Sequence, residues 1–389
     1  MATEGGEVHD GGVTSRFVGR SVGELVLVVA LVGALLVFAG PSTSRAAPTK
    51  VFSPRLLARV PSSTTDYLAT QDPCSKKFCL GLFRSTNTGK SFVPRTAPPV
   101  AAANGNPTGS LDRLAFANDS VGYAVVGQSS FNLYATRNGA RSWHKVTTMP
   151  RKNWYDLVVT SHLIYVTTDR CTDHGDSCGD FRVWRSSTGG QRWSVLPALW
   201  RTGKGANEAY YGPSVAAYGN DVWELETAPP GNYLWTSHDG GRTFVRVTTP
   251  ELVSVAGCDL TPISSEVLWA ECPTGMEVSF LHSSDGGAHW THVSQHQYGG
   301  TAGGDFDPVS SEVAYLDYGG PVKPPNLYRL SDGGRQAMSV GELNCTDVSL
   351  AFTNTSDGLA ICDQNYSTFS LARTSDGGEQ WSHEVIYGN

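Results

Sequence analysis

Short apolar stretches alternate with polar, glycine-rich turns along the chain after about residue 50. In residues 113–126, an apolar run that includes Phe116 is followed by polar residues, Gly122 and a second apolar run that ends at Val126. Residues 349–362 repeat this order with Phe352 and Gly358. Apolar runs bounded by such turns are typical of β-strands. No stretch after the N-terminal region has a convincing helical period, so we expect an all-β protein with almost no helix.

A second pattern recurs seven times: a hydroxyl residue, a spacer, an Asp-like residue, a spacer, a Gly, two further residues and an aromatic. The clear copies are residues 237–244, 283–290 and 374–381, and the weaker copies are 85–92, 136–143, 186–193 and 330–337. The copies end at positions 92, 143, 193, 244, 290, 337 and 381, which are 44 to 51 residues apart. One four-stranded sheet fits into that length, and consecutive sheets of this kind form a propeller.

Each copy of this motif predicts a β-hairpin turn. The Asx side chain can accept hydrogen bonds from the N–H groups of the turn, and glycine supplies the positive φ values. The aromatic residue opens the next strand and is expected to pack between neighbouring blades. Thr188 replaces the Asx residue in the third copy, and the sixth copy has Leu330 and Ala337 at its first and last positions. The residues given this structural role are Asn87, Asn138, Asp239, Asp285, Asp332, Asp376, Trp143, Trp193, Phe244, Trp290 and Trp381.

With these motifs the chain resembles the Asp-box (bacterial neuraminidase) repeat superfamily over residues 50–389. The order shared by residues 113–126 and 349–362 is similar to the repeats of seven-bladed propellers of the photosystem II assembly-factor and sortilin-like types. The resemblance implies a single seven-bladed β-propeller of four-stranded blades, in which the boxes are structural and lie between the third and outermost strands. We expect every blade to supply its own outermost strand, so that the ring closes by packing of blade 7 against blade 1.

The N-terminal region differs from the repeats. Residues 25–40 form a nearly uninterrupted apolar run of sixteen residues, preceded by Arg16 and Arg20 and followed by the small-residue site Ser44-Arg45-Ala46. A membrane-spanning helix needs about 20 residues. We therefore assign residues 1–46 to a signal peptide, with an uncleaved N-terminal membrane anchor as the alternative. Either assignment places the propeller, residues 50–389, outside the cytoplasm, secreted or on the outer face of the cytoplasmic membrane.

The eight cysteines fall into four close pairs. An even number of cysteines in an exported chain predicts disulfides, and the spacing does not match a metal site. Each pair joins positions that the blade map makes neighbours, so we expect four local disulfides and no metal. The pairs are Cys74 with Cys79, Cys171 with Cys178, Cys258 with Cys272, and Cys345 with Cys362.

The charge balance excludes one class of partner. The chain has 36 acidic and 29 basic residues and a net charge of −7 at pH 7. General nucleic-acid binding needs a basic face, and no run of Arg or Lys occurs in the propeller region, so we expect no nucleic-acid partner. We also expect no cofactor and a monomer whose membrane contact is confined to an uncleaved N-terminal segment.

Most candidate ligand-binding residues lie in the loops that enter the innermost strand or join the second and third strands, whereas Arg59 and Arg113 lie on predicted innermost strands. Aromatic residues with polar neighbours suit protein or carbohydrate surfaces. The function we expect is a non-catalytic module that binds a protein or glycan, or acts as a scaffold. The candidate residues are Trp154, Tyr155, Asp156, Tyr210, Tyr211, Tyr298, Arg113 and Arg59.

A glycoside hydrolase is the alternative hypothesis. Sialidases carry Asp-boxes, and the segment Ala58-Arg59-Val60-Pro61 partly matches the motif that holds their first substrate-binding Arg. Nothing matches the Arg and Asp segment that follows this motif in sialidases, and sialidases are six-bladed whereas this chain has seven boxes. Endoglucanases with Asp-boxes use two Asp residues between tandem propellers, and Asp156 and Asp305 are the candidates for that role. We therefore rank the enzyme second to the binding module.

Overall fold

A computed structural model gives the fold of the protein. It describes residues 50–388 except 52, 62, 75–76, 100–110, 128–130, 149–152, 172–177, 198, 200–213, 229–230, 250, 253–257, 274–277, 294–304, 321–322, 344, 346, 364–368 and 385–386. The described part forms seven four-stranded antiparallel sheets and contains no α-helix. The predicted all-β, seven-bladed propeller is therefore confirmed. The signal-peptide region and the candidate residues Tyr210, Tyr211 and Tyr298 lie outside the described residues.

Each blade consists of four consecutive strands, hydrogen-bonded in chain order from the innermost to the outermost. Blade 1 contains β2–β5 (Ser53–Arg59, Asp66–Cys74, Lys77–Ser85, Val93–Arg95), and blade 2 contains β6–β9 (Leu111–Phe116, Gly122–Val126, Asn132–Thr136, His144–Lys145). Blade 3 contains β10–β13 (Asn153–Val159, Ile164–Cys171, Cys178–Ser186, Ser194–Val195), and blade 4 contains β14–β17 (Ser214–Tyr218, Asp221–Ala228, Gly231–Ser237, Val245–Val247). Blades 5 to 7 contain β18–β21 (Asp259–Pro262, Leu268–Pro273, Val278–Ser283, Thr291–His292), β22–β25 (Phe306–Pro308, Ala314–Gly320, Lys323–Ser331, Gln336–Glu342) and β26–β29 (Asp347–Phe352, Gly358–Asp363, Phe369–Thr374, Ser382–Glu384).

Every blade supplies its own outermost strand, as expected from the sequence. One element was not predicted: β1 (Lys50–Val51) pairs antiparallel with β30 (Tyr387–Gly388). This two-stranded ribbon joins the segment before blade 1 to the segment after blade 7. Ring closure therefore includes backbone hydrogen bonds between the two ends of the propeller in addition to side-chain packing.

The repeated motif forms the hairpin between the third and fourth strands. In six blades the buried hydroxyl of its first residue accepts the N–H of its fifth residue, at 2.8–3.0 Å. In blade 4, for example, the Ser237 hydroxyl accepts the N–H of Gly241 and donates to the Asp239 carboxylate, which in turn accepts the N–H of Thr243 at 2.9 Å. These bonds lower the pKa of Asp239, with the largest effect from the Thr243 N–H. In blade 3 the Thr188 hydroxyl replaces the carboxylate and accepts the N–H of Arg192 at 2.8 Å.

Seven buried apolar clusters hold the ring together, and each lies between two consecutive blades. Each cluster includes the last motif residue of the following blade, which is Trp290 in the blade 4–blade 5 cluster and Ala337 in the blade 5–blade 6 cluster. The cluster of Leu68, Phe83 and Leu359 with their neighbours joins blade 7 to blade 1. The hydrophobic core is therefore a circle of interfaces between blades.

Aromatic residues of the second strands add polar contacts across these interfaces. The Tyr67 ring stacks on Phe116 of the next blade at 3.7 Å between centroids, and its hydroxyl donates to the Asp119 carbonyl. Trp223 and Trp269 donate their indole N–H groups to carbonyls of the next blade, at 2.8 and 3.0 Å. Each of these side chains combines a large buried area with a satisfied polar group, which suits an interface between blades.

Two of the four predicted disulfides are confirmed. Cys258 pairs with Cys272 and Cys345 pairs with Cys362, and each bond closes a local loop within one blade. Cys79 is also disulfide-bonded, and Cys171 lies opposite Cys178 in the register of β11 and β12. The pairings of Cys74 with Cys79 and of Cys171 with Cys178 stay predictions, because each includes a side chain outside the described ones. The described residues include no free cysteine.

A buried carboxyl group lies in the interface between blades 3 and 4. Glu224 is 1% exposed and lies on the same face of β15 as Val222, which belongs to the core of that interface. Neither of its carboxyl oxygens has a hydrogen-bond partner in the described part of the chain. Burial, with a smaller contribution from Glu226, raises the pKa of Glu224 from 4.5 to about 8. At neutral pH the group is therefore mostly protonated.

The hairpin motif predicts a specific loss of stability on substitution. Trp290→Ala removes a side chain that is 4% exposed from the blade 4–blade 5 core, and we expect the free energy of unfolding to fall by about 3–5 kcal/mol. Asp285→Ala leaves the N–H of His289 without its acceptor and is expected to cost about 1 kcal/mol. Chemical denaturation measures both losses. Ser284→Ala, an exposed change in the same hairpin, is the control, and equal stability of all three variants would contradict this role of the motif.

Glu224 predicts a pH dependence of stability. Its folded-state pKa lies above its unfolded value of 4.5, so the stabilisation is complete below pH 4.5 and is lost as the pH rises toward about 8. We expect Glu224→Gln to melt at least a few degrees higher than the wild type at alkaline pH. Thermal melts from mildly acidic to alkaline pH test this. The same pH slope for the wild type and the variant would contradict it.

Candidate functional site

The antiparallel order of the strands gives the ring two different faces. Turns from the first to the second strand and the motif hairpins lie on one face, which we call the hairpin face. The two kinds of turn are hydrogen-bonded to each other, for example Gly240 N–H to Asn220 O and Gly286 N–H to Glu266 O. Loops that enter the innermost strand and loops that join the second and third strands lie on the opposite face, the loop face. Most residues of the loop face lie outside the described ones.

The innermost strands of blades 1, 2 and 3 are irregular at the end that meets the loop face. The pairing of each strand with its neighbour shifts by one residue, between Pro54 and Leu56, between Leu111 and Arg113, and between Trp154 and Asp156. Such bulges leave one residue unpaired and redirect the neighbouring side chains. Arg113, Tyr155 and Asp156, all candidates from the sequence, lie at these bulges. The side chains of Trp154 and Tyr155 are outside the described ones.

Charged side chains from three blades meet at this end of the central channel. Arg113 of blade 2 lies within electrostatic range of Asp156 of blade 3 and Asp259 of blade 5, and these two carboxylates also affect each other. Asp112 contributes a third carboxylate, with its Oδ2 3.6 Å from Arg113 Nη1. We call these four residues, Asp112, Arg113, Asp156 and Asp259, the channel cluster. It contains three carboxylates and one guanidinium group.

The channel cluster raises the pKa values of its own acids. Burial raises the pKa of Asp156 and of Asp112, and Arg113 partly opposes both shifts. For Asp259, desolvation and the nearby Asp156 carboxylate raise the pKa to about 6 against the opposing effect of Arg113. Asp156 accepts the N–H of Leu157 at 2.7 Å. One guanidinium does not neutralise three carboxylates, so the cluster favours the approach of a cation.

Arg59 does not join this cluster. It lies at the other end of its strand, where its Nε donates to Asp66 Oδ1 at 3.0 Å and its Nη2 donates to the Ala351 carbonyl of blade 7. The carboxylates of Asp305 and Asp307 accept the N–H groups of two other residues of the same strand of blade 7, at positions 350 and 352. Side chains of blades 1 and 6 therefore hold the innermost strand of blade 7 from both sides. We call this set of contacts the ring seam.

The contacts of the ring seam explain the positions of Arg59 and Asp305, two candidate residues of the enzyme hypothesis. Asp305 is occupied with blade 7, and its charged neighbour is Asp307, whose pKa is raised by burial to about 7. Asp156 instead has Arg113, Asp112 and Asp259 as its charged neighbours. The structure therefore associates Asp156 with Asp259. Asp112 and Asp259 were missed in the sequence because each lies near the start of an innermost strand that no local motif marks.

The described residues show no metal centre and no membrane-spanning helix. No group of three or more His, Cys, Asp or Glu side chains in the described part is arranged to hold a metal ion. None of the described residues belongs to a helix of sufficient length and hydrophobicity to cross a membrane.

Solved structures share the propeller fold with this chain. YCF48 bound to D1 peptide is 15% identical, with 74% of this chain and 88% of that chain covered and a TM-score of 0.50. YCF48 from Cyanidioschyzon merolae is 13% identical, with 72% and 86% covered and a TM-score of 0.51. The β-propeller domain of the Trilobed protease from Pyrococcus furiosus is 8% identical, with 88% and 98% covered and a TM-score of 0.55.

These likenesses establish the fold and nothing finer, because all the identities are low. Acylaminoacyl peptidase from Pyrococcus horikoshii also matches, at 9% identity and a TM-score of 0.54, but this chain covers 53% of that protein's length. No protein-family model and no curated protein matches the chain. The assignment to the Asp-box superfamily therefore stays a prediction from the motif.

Proposed function

We propose that the protein is an exported, non-catalytic β-propeller that binds a segment of another protein at the loop-face end of its channel. One observation carries this proposal: bulged innermost strands bring Arg113 and Asp156 together, and Asp259 reaches the same place from blade 5. Tyr210 and Tyr211 precede the innermost strand of blade 4 in the sequence, and Tyr298 precedes that of blade 6. A propeller face with charged groups at its centre and aromatic residues around it suits a polypeptide ligand.

The charge of the cluster defines the ligand more closely. Three carboxylates facing one guanidinium favour a ligand with a cationic group, such as a Lys or Arg side chain in an extended segment. YCF48, a propeller of similar fold, has been solved with a D1 peptide bound, which supports a peptide as the class of ligand. A glycan remains the second class that the sequence predicted for the loop-face aromatics.

Export rests on the sequence and is supported by the cysteines. Disulfides form and persist mainly in oxidising compartments, and Cys258–Cys272 and Cys345–Cys362 are both oxidised. The apolar residues 25–40 are the corresponding targeting signal. We therefore place the propeller outside the cytoplasm, secreted or anchored on the outer face of the membrane.

Selection of ligands from a displayed peptide library tests the proposal. We expect the selected peptides to be basic, and Asp259→Asn and Asp156→Asn each to weaken the binding of such a peptide at least tenfold while the melting temperature stays close to that of the wild type. Glu312→Gln, an equal change of charge on the hairpin face, is the matched control. Unchanged binding by Asp259→Asn, or an equal loss in the control, would overturn the proposal.

The pH dependence of binding provides a separate prediction. The pKa of Asp259 is about 6, so its carboxylate is charged above this pH and protonated below it. Affinity for a basic peptide without histidine should therefore fall as the pH is lowered through 6, and Asp259→Asn should remove most of that dependence. Titration calorimetry on both sides of this pH measures the effect. A wild-type affinity independent of pH over that interval would contradict the assignment of Asp259.

A glycoside hydrolase is the second candidate, and the association of Asp156 with Asp259 favours it. Glycoside hydrolases use a pair of carboxyl groups as acid and base, and the pKa values of both Asp156 and Asp259 are raised. Assays with a fluorogenic sialoside and with β-glucans distinguish the two functions. Turnover that Asp156→Asn abolishes would replace the binding function by the enzymatic one.

A further inference from the structure

The charged residues of the hairpin face are unevenly distributed around the ring. The hairpins and outermost strands of blades 1 to 4 carry seven exposed Lys or Arg residues and one carboxylate, the part-buried Asp239. The hairpins of blades 5 to 7 carry four exposed carboxylates, Asp285, Asp332, Asp376 and Glu379, and one exposed Arg, Arg335. This asymmetry occurs in a chain whose net charge is −7. The exposed cations of blades 1 to 4 are Lys90, Arg137, Arg141, Lys145, Arg192, Arg242 and Arg246. We call this set the cationic arc.

Salt bridges within the described residues do not neutralise the arc, because none of its cations forms one with a described residue. Arg242 donates to the Asp239 carbonyl, and Arg246 stacks on Tyr233 and lies within electrostatic range of Glu226. The carboxylates of the nearby turns are occupied instead. Asp119 pairs with Arg84 at 3.5 Å, and Asp221 pairs with His238 at 2.7 Å.

Exposed apolar side chains occur in the same sector, which is an independent observation. Val93, Val195 and Val245 are 52%, 42% and 68% exposed, and each follows a motif hairpin by one or two residues. Tyr218, at the turn between the first two strands of blade 4, is 46% exposed. Met338 is the fifth large hydrophobic residue with high exposure in the described part, and it lies on blade 6.

We propose that the cationic arc and its exposed valines dock the propeller onto the surface of an anionic lipid bilayer. Isolated cations spread across one side of a face, without a pocket around them, suit a planar array of headgroups. The valines beside them can enter the boundary between headgroups and acyl chains. This contact is additional to the N-terminal segment, and it does not depend on ligand binding in the channel. It would direct the loop face and the channel cluster away from the bilayer.

Vesicle flotation tests the proposal with the chain from residue 47 onward, which contains all thirty strands and lacks the apolar N-terminal run. Vesicles of phosphatidylcholine with about one third phosphatidylglycerol, at about 0.1 M salt, present an anionic surface that is only partly screened. We expect binding at least tenfold stronger than to pure phosphatidylcholine, and a decrease as salt is raised. Substitution of Lys90, Arg141, Arg192 and Arg242 by Ala should abolish this preference.

A variant with an equal change of net charge on the other sector is the matched control. Glu substitutions of four exposed neutral residues in blades 5 to 7 should leave vesicle binding within about twofold of the wild type, because headgroups near the arc do not contact them. These residues are Ser284, Gln336, Ser375 and Gln380. Replacement of the three valines by Ser should weaken binding even where the charges are intact. Circular dichroism melts confirm that the compared variants are folded.

Three outcomes would overturn the proposal. They are equal binding to anionic and neutral vesicles, equal losses in the two charge variants, and binding of a polyanion such as heparin without binding of anionic vesicles. The last outcome would assign the arc to an acidic macromolecule instead of a bilayer. None of these results bears on Asp259, so failure here is distinguishable from failure of the proposed function.

Discussion

Packing between neighbouring blades is the constraint on which the rest of this structure depends. A blade of four short strands has two apolar faces and cannot bury both of them by itself. Each of the seven cores is therefore shared by two consecutive blades, and the cluster around Leu68 and Leu359 joins the last blade to the first. The motif hairpin serves this packing, because its buried hydroxyl fixes the turn that delivers the aromatic residue into the shared core.

Closure of the ring has its own polar contacts in addition to this packing. Blade 7 receives Asp305 and Asp307 from one side and Arg59 from the other, and the β1–β30 ribbon adds a backbone link. Closure also creates the channel cluster, since Arg113 and Asp259 meet only when blades 2 and 5 face the same axis.

The sequence predicted the parts of this structure that local chemistry determines. The motif located every hairpin, since hydroxyl, Asx and Gly residues specify a turn within eight positions, and the cysteine spacing located Cys258–Cys272 and Cys345–Cys362. It could not locate the channel cluster, because Asp112 and Asp259 come together only through the ring. The β1–β30 ribbon also depends on the closed ring, because it pairs the two ends of the propeller. Arg59, a candidate for binding, is instead committed to the ring seam.

The central claim is that seven interdependent interfaces make the ring one cooperative unit. Native-state hydrogen exchange tests it most directly, using the N–H groups of Gly89, Gly190, Gly241, Gly287 and Gly378, which donate to the buried motif hydroxyls. If the claim holds, these amides in five blades exchange with one common free energy of opening, equal to that of global unfolding. Separate opening free energies for individual blades, as in an open array of repeats, would contradict it.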